Sequence, residues 1–184
     1  MDFVFAQIFG LIALFLSCDA VFKKNKAVFL FYEALVDLFY AMSYFCLQVY
    51  NAGIISLISL IAMLAIYYCQ NKKFKYTFAI IPITFILFAL TTVLFWQSWL
   101  DILFVLGTAL FTVGFYTKNL QITRLCIAIP NFIMIIYNII YMAYSNAILD
   151  SIETIVVVCA IIKFYKEKHL KKSALKSLKR YYIK

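Results

Sequence analysis

Residues Ala27–Val49 read AVFLFYEALVDLFYAMSYFCLQV, 23 residues with two acids and no basic side chain. A helix rises about 1.5 Å per residue, so this stretch is long enough for the roughly 30 Å hydrocarbon core of a bilayer. Its flanks differ. Lys23-Lys24-Asn25-Lys26 precedes it, and Gln48–Asn51 follows without a charge. Basic residues stay on the cytoplasmic side during insertion, so this asymmetry orients the segment.

The same grammar extends over the whole chain. Of 184 residues, 66% are hydrophobic and 14% charged, against about 45–50% and 25% in soluble domains. Apolar stretches run at Phe3–Phe22, Ala27–Val49, Ala52–Cys69, Tyr76–Phe95, Leu100–Tyr116, Ile122–Tyr144 and Ala147–Phe164. The breaks between them alternate. Three basic residues lie at Lys23–Lys26, three at Gln70–Lys75, two at Lys118–Arg124 and nine from Lys163 onward, while the other breaks carry none. Trp96, Trp99, Tyr50 and Tyr144 stand at the neutral breaks, where aromatic rings favour the headgroup level. The pattern predicts seven transmembrane helices, with the N-terminus outside and the C-terminus cytoplasmic. No basic n-region precedes Phe3, so the first helix is expected to be retained rather than cleaved.

The order of breaks also repeats, which predicts an all-α membrane protein of two parallel three-helix repeats joined by a linker helix. Residues 1–75 form the first repeat, 76–97 the linker, 98–165 the second repeat and 166–184 a basic amphipathic cytoplasmic tail. Sliding the chain by 95 residues sets Asn51-Ala52 on Asn146-Ala147, Ser56 on Ser151, Ser59 on Thr154 and Lys23 on Lys118. Such repeats are common in transporters, with the substrate site between them near the midplane. Ala6-Gln7-x-x-Gly10-x-Ile12-Ala13, the basic break after it, the turn Tyr50-x-Ala52-Gly53 and the basic end Lys163-Phe164-Tyr165-Lys166 resemble the YgjV-like bacterial inner-membrane proteins. More distantly the plan resembles the SWEET, SemiSWEET and PQ-loop transporters. Helix 3 here carries no charge at Ser56–Leu60, and Pro82 and Pro130 are the chain's two prolines. Sugar specificity is therefore not implied, and the YgjV likeness implies no settled biochemical activity.

Polar groups in lipid are costly, about 2.5–3.5 kcal/mol for a mid-helix carboxylate on insertion scales, so they mark where function is to be sought. Glu33 and Asp37 lie four residues apart on one helix face, and Asp37 is the middle residue of Ala27–Leu47. With no cation within a helix core, an acid there favours its uncharged form, and it serves either as a proton-exchanging group or as a packing group. In the sixth stretch Pro130 removes a helical N–H and predicts a hinge. Asn131 beside it falls on Val36 at the 95-residue offset, one residue from Asp37, and Asn138 lies two turns on. Asp37, Asn131, Asn138 and Glu33 are the expected substrate-binding residues, with Glu33 toward the inner gate. Asp150 and Glu153 open the seventh stretch and are expected to line a water-filled outer vestibule or gate. These readings compete with plain helix packing.

Other classes find less support. The five cysteines have no CxxC spacing and the single histidine, His169, lies in the basic tail, so no metal is expected. No phosphate-binding loop, nucleophile elbow or zincin motif occurs; neither an enzyme nor a cofactor is expected. The charge of +9 is concentrated in short breaks and the tail, which suits an anionic inner leaflet and not nucleic acid. The expected function is passage of a small polar metabolite by alternating access, as a facilitator or with a proton. The rival is a non-transporting membrane scaffold or accessory subunit. Self-association as a homo-oligomer is left open.

Overall fold

A computed structural model describes the backbone at residues 2–71, 77–117 and 119–182, and the side chains at 2–69, 79–117 and 119–166. The basic break past Asn71, Lys118, and the side chains of the tail from 167 on lie outside the described residues. Those described form seven helices: α1 (Asp2–Val21), α2 (Lys26–Cys46), α3 (Tyr50–Asn71), α4 (Thr77–Leu94), α5 (Leu100–Tyr116), α6 (Leu120–Ile140) and α7 (Tyr144–Tyr182). By length and composition α1, α2, α6 and Tyr50–Cys69 of α3 suffice to cross a membrane, while the apolar segments Ala79–Leu94 and Leu100–Tyr116 are shorter.

The helix ends show why hydropathy alone overruns them. α2 stops at Cys46, although the apolar run continues to Val49, because Gln48 takes a left-handed backbone with φ 61°. The Gln48 N–H then reaches the Phe45 carbonyl and the Val49 N–H the Tyr44 carbonyl at 2.9 Å, the paired bonds of a Schellman turn. Met142, with φ 57°, repeats this after α6: its N–H bonds Ile139 and the Ala143 N–H bonds Asn138 at 2.8 Å. The starts match as well. Asn25 caps α2 by accepting from the Ala27 N–H, and Asn119 caps α6 by accepting from the Gln121 N–H. Caps, turns and the first residues of α3 and α7 all recur at a spacing of 94, one less than the letters suggested. α7 continues without a break to Tyr182, where the sequence reading had separated a tail from residue 166. No glycine or proline intervenes to stop it.

Helix α1 packs on α2 and α7, α2 on α3, α6 on α5 and α7, and α5 on α3; α4 lies against α3 and α5. Two apolar clusters close the bundle at either end. One, at the end bearing the α1–α2 and α5–α6 loops, contains Val21, Phe29, Leu30, Ile66, Phe115 and Ile127. The other contains Val49, Ile55, Phe88, Phe104 and Tyr137. Polar side chains lie between them, whereas the outer surface exposes Phe15, Leu90, Val93, Ile129, Phe132 and Ile155. Water would not tolerate so large an apolar exterior, but lipid does.

Hydrogen bonds cross between the helix groups at both ends. At the first end the Arg124 Nη2 donates to the Val21 carbonyl at 2.9 Å, with the guanidinium 4.4 Å from the Phe164 ring centre. Lys26 Nζ reaches back to the Thr117 carbonyl and, at 2.9 Å, to Thr123 Oγ1. At the other end the Gln7 amide accepts from the Ser145 N–H at 2.7 Å and donates to the Met142 carbonyl at 3.3 Å. Gly10, one turn on, permits that approach, because a Cβ there would run into the side chains of Ser145 and Asn146. Gly10→Val should therefore force α1 from α7 and lower stability by about 1–3 kcal/mol. Unfolding of the purified protein in detergent measures this, and Gly10→Ala should lie between it and the parent.

Candidate functional site

The cavity between the two apolar clusters is lined from α2, α3, α5, α6 and α7. Its chemistry starts with the period of α2. Glu33, Asp37, Tyr40 and Tyr44 follow one another at three- and four-residue steps, which puts them in one row on a helix. All four line the cavity, as do Asp150 and Glu153 of α7, Ser56 and Ser59 of α3, and Thr108 of α5. Among the described residues no lysine, arginine or histidine lines it.

The four acids fall into two kinds. Asp150 Oδ1 accepts from the Tyr40 hydroxyl at 2.5 Å and Oδ2 from the Asn138 amide at 2.7 Å. The Asn138 carbonyl oxygen in turn accepts from the Tyr44 hydroxyl at 2.6 Å. Glu153 Oε1 accepts from the Ser17 hydroxyl of α1 at 2.6 Å, and Oε2 from the Asn131 amide at 3.1 Å. Both oxygens of each α7 acid are thus occupied by donors from other helices. On α2 the situation differs: Glu33 Oε1 and Asp37 Oδ2 are buried without a hydrogen-bond partner. The Ser59 hydroxyl stands beside the Asp37 carboxyl.

The structure therefore joins most of the residues singled out from sequence, with changes of role. Glu33, Asp37 and Asn138 line the cavity. Asn131 is fully buried but does not line it; its amide holds Glu153 and the Asp150 carbonyl instead. Asp150 and Glu153, expected in an outer vestibule, are buried and belong to the same central cavity. The sequence count began at Ala147, but α7 begins at Tyr144, which sets both acids about one turn deeper. Pro130 lies buried within α6. Tyr40, Tyr44 and Ser17 were not singled out. The two tyrosines were legible as continuations of the Glu33–Asp37 row, whereas nothing in the sequence distinguished Ser17.

At the 94-residue spacing of the turns, Asn131 falls on Asp37, Asn138 on Tyr44, Asp150 on Ser56 and Glu153 on Ser59. The pair Asp37 and Ser59 thus has the counterpart Asn131 and Glu153, with the acid moved to the other helix. Residues 4–168 match the family described as Imp-YgjV, bacterial inner membrane protein. The chain belongs to the YgjV family. No curated protein and no solved structure gives a significant match. The YgjV family match covers all six helices that supply the cavity walls and their donors, α1, α2, α3, α5, α6 and the first part of α7.

Asn138 is the joint of this network, since it is both acceptor for Tyr44 and donor to Asp150. Asn138→Leu should cost about 1–3 kcal/mol for each buried group left unpaired. In a double-mutant cycle read by unfolding in detergent, Tyr44→Phe should then destabilise less in the Asn138→Leu background than in the parent.

Proposed function

We propose that this YgjV-family protein passes a small polar metabolite across the bacterial inner membrane by alternating access. In this reading all seven helices cross, the N-terminus lies outside and the basic end, with Lys23, Lys24, Lys26 and Arg124, faces the cytoplasm. Helices α1–α3 and α5–α7 are two parallel repeats, and α4 is the connector that restores their direction. The SWEET-like plan read from the sequence is one such architecture.

The observation that carries the reading is the polar cavity midway along the bundle, lined by helices from both the first three and the last three, with an apolar cluster at either end. The contacts between the groups support the reading too: α1 meets α7 where α3 meets α5, which is what a two-fold relation along the membrane normal would produce. The cross-links at either end are of a kind that can break and re-form, being mostly side chains on backbone carbonyls. Rocking would open one set while the other stays closed. Asp37, Glu33 and Asn138 face the solute, Asp150 and Glu153 shape the cavity, and Pro130 allows α6 to bend. Nothing in this scheme requires a nucleotide or a metal; uniport or exchange with a proton would suffice.

The test begins with thermal unfolding of the purified protein against pooled sugars, nucleosides, amino acids, amines and vitamins. A ligand at about 100 times its dissociation constant adds roughly 2.7 kcal/mol of stability. Hits are then followed as uptake into proteoliposomes. Asp37→Asn should leave folding yield near normal and abolish uptake, because it keeps the shape and removes the titratable group. A scaffold or accessory subunit would show no uptake in parent or variant, and its folding yield alone would respond.

A further inference from the structure

We propose that the cavity is a site for an organic cation, a solute carrying a protonated amine. This rests on the reading of the cavity as a solute site and names the class of solute. Among the described residues four carboxyl groups line the cavity and no basic side chain does. An acidic cluster could be a packing device, and for Asp150 and Glu153 the donors from Tyr40, Asn138, Ser17 and Asn131 supply that account. It fails for α2. Glu33 is only 6% exposed, lines the cavity, and leaves Oε1 without a partner; Asp37 Oδ2, one turn away, is likewise unpartnered. Asn51, Gln121, Arg124, Asn131, Ser145 and Asn146 also carry unpartnered buried atoms, but none of them lines the cavity; an orphan that does has room beside it for a donor from water or solute. The missing donor here must bond to carboxyl oxygens from the cavity side.

The walls narrow the choice of cation. The Tyr40 and Tyr44 rings are stacked at 5.9 Å, and Phe104 meets Tyr44 edge-on at 5.5 Å. These three, with Phe111 and Phe115, give the cavity aromatic walls beside its carboxyls. Aromatic faces attract organic ammonium groups, as in choline-binding cages. A bare metal ion fits less well. Among the described residues no three carboxyl, thiol or imidazole groups come close enough together to hold one, and the cavity is far larger than an ion. A neutral polyol could donate to these oxygens but brings no charge, whereas an ammonium group supplies both the donors and the opposite charge that favours an ionised carboxylate.

Binding is tested on the purified full-length protein with matched probes: benzylamine against benzyl alcohol, and putrescine against butanediol. At least one cation should bind measurably better than its neutral partner. Glu33→Gln and Asp37→Asn should each weaken that binding about tenfold or more, as loss of a charge-assisted hydrogen bond does. Asp19→Asn, which removes an acid paired with Lys23 outside the cavity, should leave it unchanged. Circular dichroism of each variant separates lost binding from lost fold. Should Glu33→Gln fail to fold, Asp37→Asn carries the test. Neutral partners binding as well as the cations would overturn the proposal. So would cation binding that survives both substitutions, or no binding by any probe. Uptake into proteoliposomes separates this from the transport reading. Cation binding without uptake keeps the site and overturns transport, while uptake of an uncharged solute without cation binding does the reverse.

Discussion

The Asp150 carboxyl is the interaction on which the interior depends. It stands in the first third of the apolar part of α7, where a carboxyl is tolerated in lipid only if donors meet it. Tyr40 of α2 and Asn138 of α6 supply them, one on each oxygen. Asn138 in turn is fixed by Tyr44, one turn beyond Tyr40. Three helices from both halves of the chain are therefore registered by four side chains. A slip of one residue in any of them would rotate the group by about 100 degrees and strand it. Lipid offers little hydrophobic force to hold helices together, so such polar contacts and close packing at small residues must set the arrangement.

Two consequences reach the site. Because α7 spends its acids on neighbouring donors, their positions are fixed and their oxygens filled. Because α2 spends its two tyrosine hydroxyls on that network, Glu33 and Asp37 on the same row are left facing open volume. Paired and unpaired carboxyl oxygens are thus divided between two helices. The apolar clusters above and below seal this band, and the cross-links at Arg124 and Gln7 close the bundle ends.

Much of this was legible in the sequence, and the failures have a common cause. Hydropathy located every helix because lipid leaves no alternative to apolar, internally bonded segments. It could not locate their ends, since the turns at Leu47–Val49 and Tyr141–Ala143 are themselves largely apolar and close on Gln48 and Met142 instead of glycine. That error of a few residues placed Asp150 and Glu153 too near the surface. The caps and turns recur at 94 residues instead of 95, and in that register Asn131 falls on Asp37 and Glu153 on Ser59. Glu33, Asp37 and Asn138 were recoverable because polarity in a membrane helix is rare. Ser17 was not, because a small hydroxyl on a helix has many uses and only its 2.6 Å contact with Glu153 reveals this one.

The central claim is that α2 presents its acids to a hydrated cavity while the α6 amide beside them is buried in protein. Thiol labelling tests it most directly. In a background with the five native cysteines replaced, Asp37→Cys and Asn131→Cys are exposed in native membranes to a small, charged thiol reagent. Labelling is expected at position 37, which the reagent reaches whenever an end cluster parts, with protection at position 131, and both become reactive on denaturation. Protection at both positions in the folded protein, or equal labelling at the two, would contradict it.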